Sequence, residues 1–78
     1  MSKSDLREIF EMHYATVFGL VYGLTDDKKV SQDIVSETFI LLWKMRDCVE
    51  GDKNIKAFLT TTARTMAITE LKNKIHHV

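Results

Sequence analysis

The chain has 78 residues, no net charge at neutral pH with neutral histidines, 45% apolar side chains, no proline and one cysteine. A domain this small holds one thin core and leaves no room for a deep substrate cleft, which argues against an enzyme. Cys48 has no partner for an internal disulfide, no secretory signal precedes it, and no apolar run approaches the roughly 18 residues of a membrane span. These features predict a protein of the reducing cytoplasm.

With three glycines and no proline, the turn residues that a sheet would require are missing, and a few long helices are expected. The first is predicted over about Asp5–Leu24, with Ser4 as N-cap and Asp5 and Glu8 in the first turn. Leu6, Phe10, His13, Val17, Leu20 or Val21, and Leu24 form one apolar line, with Tyr14, Phe18 and Tyr22 beside it. Gly19 and Gly23 each cost about 1 kcal/mol of helix propensity, and close approach of another helix would explain them.

Thr25, Asp26 and Asp27 break this helix, and any of them can cap the next. The second helix is predicted over about Asp27–Arg46. Its buried side would be Val30, Ile34, Val35, Thr38, Leu41, Leu42 and Met45, with Phe39 and Trp43 at the flank. The other side would carry Lys29, Gln32, Asp33, Ser36, Glu37, Ile40 and Lys44. Residues 47–53 read as a loop turning at Gly51, with a short extra helix possible near it. Asp52 or Asn54 would cap a third helix reaching about Ile75. Ile55, Phe58, Leu59, Thr62, Ala63, Met66, Glu70 and Leu71 trace its inner side. The expected fold is an all-α three-helix bundle.

The zero net charge conceals an asymmetry. Residues 1–24 hold two basic and three acidic side chains, residues 25–52 four and seven, and residues 53–78 five and one. An acidic second helix is thus followed by a basic third helix, a pattern that points to two partners. Lys53, Lys56, Arg64, Lys72 and Lys74 suit phosphate contacts, and Thr60, Thr61 and Thr65 suit hydrogen bonds to nucleic acid. An ordinary solvated surface is the alternative for both helices. His13, Cys48, His76 and His77 match no metal-site spacing. No phosphate-binding glycine loop or nucleophile–base pair is legible, so no cofactor, metal or catalytic residue is expected.

Phe10, Tyr14 and Phe18, then SQDIVSETFILLW from Ser31 to Trp43, then AFLTTTARTMAITEL from Ala57 to Leu71 together resemble a known family. The order and spacing are similar to region 2 of the bacterial sigma-70 family, in particular its extracytoplasmic-function branch. The resemblance covers about residues 6–74, as a single domain. It implies that the second helix docks on the clamp coiled coil of core RNA polymerase, and that the loop and third helix recognise and open the promoter −10 element on the non-template strand.

Asp33 and Glu37 match the family's acidic docking positions and Ser36 a position usually held by Gln, with Ile40 and Lys44 completing the expected surface. Phe58 and Arg64 match the aromatic and the Arg of the third segment. The expected DNA face is Lys53, Asn54, Lys56, Thr60, Thr61, Arg64, Thr65, Ile68 and Lys72. Residues 48–53 would form part of a pocket for a flipped-out base. An anti-sigma factor is a further implied partner.

Three departures stand out. Thr65 replaces an Asn, Ser31-Gln32 replaces Ala-Glu, and no region 4 helix-turn-helix follows, so the chain is expected to be a domain of a longer protein. The alternative is a small helical interaction or dimerisation module without DNA binding.

Overall fold

The computed structural model describes the backbone of residues 1–76 and the side chains of residues 1–73. It contains α1 (Lys3–Thr25), α2 (Lys28–Lys44) and α3 (Asp52–His76), the all-α three-helix bundle expected. Each helix packs against both others. The 25 residues of α3 set the long axis of a body measuring 43 × 21 × 18 Å.

Ser2, not Ser4, starts α1. Its hydroxyl accepts the Asp5 N–H at 3.2 Å, and the Asp5 carboxylate accepts the Ser2 N–H at 2.9 Å, a reciprocal capping box. The backbone hydrogen bond from Ser2, and then its hydroxyl, hold the Asp5 carboxyl below the usual carboxylate range. The helix ends at Asp26, which adopts the left-handed conformation (φ 52°) and donates its N–H to the Tyr22 carbonyl at 2.8 Å. Asp is among the few residues that enter this region readily.

The two-residue turn between α1 and α2 is fixed by a buried polar knot. Asp27 caps α2 by accepting the Val30 N–H at 3.0 Å. The Ser31 hydroxyl donates to the Asp27 carbonyl at 2.7 Å and lies 2.8 Å from the Thr25 hydroxyl. Either hydroxyl can donate in that contact, and the Thr25 oxygen also accepts the Asp27 N–H at 3.3 Å. Ser31 is completely buried. Its departure from the family pattern therefore belongs to the turn and not to the docking face.

The core is Val17 and Val21 from α1, Ile34, Val35, Phe39 and Leu42 from α2, and Ile55, Leu59, Ala63 and Ala67 from α3. Thr38 joins it by donating its hydroxyl to the Ile34 carbonyl at 2.8 Å, beside the Met66 sulfur at 3.8 Å. Small Ala63 and Ala67 allow α3 to lie close in the middle of the bundle.

Several expectations change. Phe39 is core and not flank, whereas Met45 is exposed and Val30 and Leu41 are half-buried. The inner side of α3 is as expected: Phe58, Thr62, Met66, Glu70 and Leu71 are half-buried beside buried Ile55, Leu59 and Ala63, with Phe58 and Met66 packed against the core. A methyl group placed on Gly19 or Gly23 would meet nothing within 4 Å, so no helix approaches either glycine. No extra helix forms at the loop. Residues 45–48 make a hydrogen-bonded turn in which the Cys48 N–H reaches the Met45 carbonyl at 2.9 Å. Gly51 then turns the chain at φ 85°, and its carbonyl accepts the Ile55 N–H at 2.9 Å to begin α3.

Candidate functional site

The outer face of α2 is built by helical spacing over the core. Asp33, Glu37, Ile40 and Lys44 follow one line along the helix, with Ser36 beside it, and all five are exposed. Ile34, Val35, Thr38 and Leu42, on the opposite side, are buried and fix which way this line faces. The structure thus brings all five expected docking residues onto one open surface. Ile40 is 55% exposed and takes no part in the core.

Beside this line runs an apolar groove of about 460 Å³ between α2 and the first turns of α1, and the sequence reading did not foresee it. Leu6, Phe10, Phe39 and Trp43 form its floor, with Ser36 and Ile40 on the α2 side and Lys3 and Arg7 on the α1 side. The Phe10 and Phe39 rings meet edge-to-face at 4.8 Å and set its depth. Phe10 also starts a ladder along α1, packing on Tyr14 at 5.0 Å, with Tyr14–Phe18 and Phe18–Tyr22 each at 5.8 Å. Arg46 lies 4.2 Å over the Trp43 ring and donates to the Trp43 carbonyl at 2.8 Å. This pairing holds the indole at the end of α2 by cation–π attraction and a C-terminal cap.

The outer face of α3 carries two adjacent lines, Lys56–Thr60–Arg64 and Thr61–Thr65–Ile68–Lys72, with Lys53 and Asn54 at its start. All are exposed except Thr60, which is half-buried. Three of the expected polar contacts already have intramolecular partners. Thr60 donates to the Lys56 carbonyl at 2.9 Å, Thr65 to the Thr61 carbonyl at 2.9 Å, and the Asn54 amide to the Glu50 carbonyl at 2.8 Å. These threonines offer lone pairs outward, and a phosphate needs a donor. The four basic side chains remain the phosphate-binding groups of this face.

A depression of about 520 Å³ lies between the start of α1 and the α2–α3 loop. Asp47, Glu50 and Asp52 from the loop side face Asp5 and Glu8 of α1 across it, with Arg46 and His13 also present. No Phe, Tyr or Trp lines it, nor do Cys48 and Lys53. Cys48 is exposed as a free thiol. Among the described residues no group of three or more His, Cys, Asp or Glu is placed to hold a metal ion. The side chains of Lys74 and His76, and His77 altogether, lie outside the described residues. Among the described residues no helix is long and apolar enough to cross a membrane.

The three-helix bundle thus presents one acidic-apolar helix face and one basic helix face. The sequence matches the family Sigma-70 region 2 over residues 9–75, and the chain belongs to that family. This is a family of sigma factor domains and not of enzymes; its members act with RNA polymerase core and promoter DNA in transcription initiation. No curated protein and no solved structure matches the chain.

Proposed function

We propose that the chain acts in the cytoplasm as region 2 of an extracytoplasmic-function sigma factor. In this reading Asp33, Ser36, Glu37, Ile40 and Lys44 dock on the clamp coiled coil of core RNA polymerase. One observation carries it: the two carboxylates stand clear of the core on the same open line as Ile40. A basic, apolar-striped coiled coil would find charge-assisted hydrogen bonds and an apolar contact together there.

The α2–α3 loop and α3 then engage the −10 element. Lys53, Lys56, Arg64 and Lys72 hold the non-template strand through its phosphates, and Asn54, Thr60, Thr61, Thr65 and Ile68 lie along its path. The carboxylates around the loop depression repel phosphate but accept hydrogen bonds from base amino groups, so a flipped base would enter edge first. An anti-sigma factor would act by covering the α2 face.

The test is binding to a polymerase clamp-helix fragment by fluorescence anisotropy. The wild-type chain binds, and the Asp33→Arg and Glu37→Arg variants do not; absence of wild-type binding sinks the docking reading. A second reading, an interaction module without a DNA role, is favoured by the inward-bonded Thr60 and Thr65 hydroxyls. Single-stranded −10 DNA bound more tightly than a scrambled strand at moderate salt would eliminate it; equal binding would support it.

A further inference from the structure

The exposed threonines of α3 differ in what their hydroxyls can still do. Thr65 donates its proton to the Thr61 carbonyl at 2.9 Å. A carbonyl can only accept, so that proton is committed and the Thr65 oxygen presents lone pairs alone. The Thr61 hydroxyl has no hydrogen bond among the described residues and keeps its proton for a partner. Phosphate oxygens and base carbonyls require a donor, which Thr65 supplies only by giving up its helix bond. An N–H on a base edge is what it can accept.

The residues around Thr65 suit a base as well. Ile68, one turn further on, is 39% exposed and takes no part in the core. Exposed Arg64 and Lys72 stand four residues to either side of Ile68, about 12 Å apart along the helix axis. Two cations thus bracket an apolar side chain and a bare acceptor. A phosphate has no use for either of those two, whereas an unstacked base offers a flat apolar face and an N–H edge.

We propose that Thr65 and Ile68 read one base of the single strand, Ile68 packing on its face and Thr65 accepting from its amino group, while Arg64 and Lys72 hold the phosphates beside it. The inference rests on the strand-binding reading of α3 and deepens it, by separating the pair that selects from the residues that grip. Adenine presents the required group as its N6 amino, which fixes the probes.

The experiment is anisotropy titration at low salt with three short single strands on the same backbone: oligo-deoxyadenosine, oligo-2′-deoxynebularine, which lacks the amino group, and an abasic strand. The wild type should bind the adenine strand about threefold or more tighter than the deoxynebularine strand. Thr65→Val should bind those two alike, whereas Thr65→Ser, which keeps the hydroxyl, should retain the preference. Comparing variants on the same strands cancels differences in strand stiffness. Ile68→Ser should weaken both base-bearing strands and leave the abasic strand unchanged. None of these changes should alter the salt slope, because no phosphate contact is lost. Circular dichroism checks the folding of each variant.

A wild type that binds the adenine and deoxynebularine strands alike overturns the inference and leaves the phosphate grip standing. So does a Thr65→Val variant that loses affinity for the abasic strand as well, since Thr65 would then touch the backbone. A wild type that binds none of the three strands removes the strand-binding reading of α3 and this inference with it.

Discussion

The outer faces of α2 and α3 are both charged helix surfaces above one core, yet they are equipped for different work. On α2 the charges surround apolar surface, Ile40 and the Phe10–Trp43 groove. Removing such a surface from water gives short-range affinity, and the charges then select the partner. On α3 the charges stand among threonines, two of which bond to their own helix. A face of that kind gives long-range, salt-sensitive attraction with little selectivity. Under the proposed function, this division would give firm docking on one helix and a light grip on the strand by the other.

The comparison breaks most completely if the shared core is opened. Leu42, fully buried under α2, should cost about 2–5 kcal/mol when changed to Ala, measured by urea unfolding. In a domain of this size such a loss abolishes both faces at once. Ser31→Ala should cost about 0.5–1.5 kcal/mol, because the Thr25 hydroxyl and Asp27 carbonyl each lose one hydrogen bond while keeping another partner. Both bindings should weaken together in that variant in proportion to the unfolded fraction.

Reversing Asp33 and Glu37 to Arg should lower clamp-fragment affinity about tenfold or more and leave DNA affinity equal or higher. Equal loss of both would show that the faces are not independent. Arg64→Ala should reduce DNA affinity by a few-fold, lower the salt slope by about one unit, and leave clamp binding unaltered, as read by anisotropy titrations at several salt concentrations. The smallest effect serves as a control: Gly19→Ala should stabilise the chain by up to about 1 kcal/mol, since open space surrounds the site, with both affinities unchanged.

Much of this arrangement was legible in the residues. Asp33, Ser36, Glu37, Ile40 and Lys44 fall on one exposed line because a 3.6-residue period with Ile34, Val35, Thr38 and Leu42 inside leaves them nowhere else. The basic residues of α3 followed by the same argument. Gly51 was identifiable as the turn because a positive φ favours glycine. Capping was less legible. Ser2 and Ser4 are both competent N-caps by type, and only Asp5 at the third helical position selects Ser2. Ser31 falls on the same inner line as Val35, Thr38 and Leu42, but its contact with the Thr25 hydroxyl depends on the two-residue turn, which no period contains.

The sequence by itself determined three helices, their inner lines, the acid-to-base change from α2 to α3, and the order of motifs that marks the family. Those are local or periodic properties, written in residues three and four apart. The tertiary structure alone decided where separate helices meet. It placed Phe10 against Phe39 to form the groove, brought the acidic loop over the start of α1, and left Gly19 and Gly23 without a neighbour. The physical reason is that contact between side chains on different helices depends on crossing geometry and side-chain volume. No helical period encodes either.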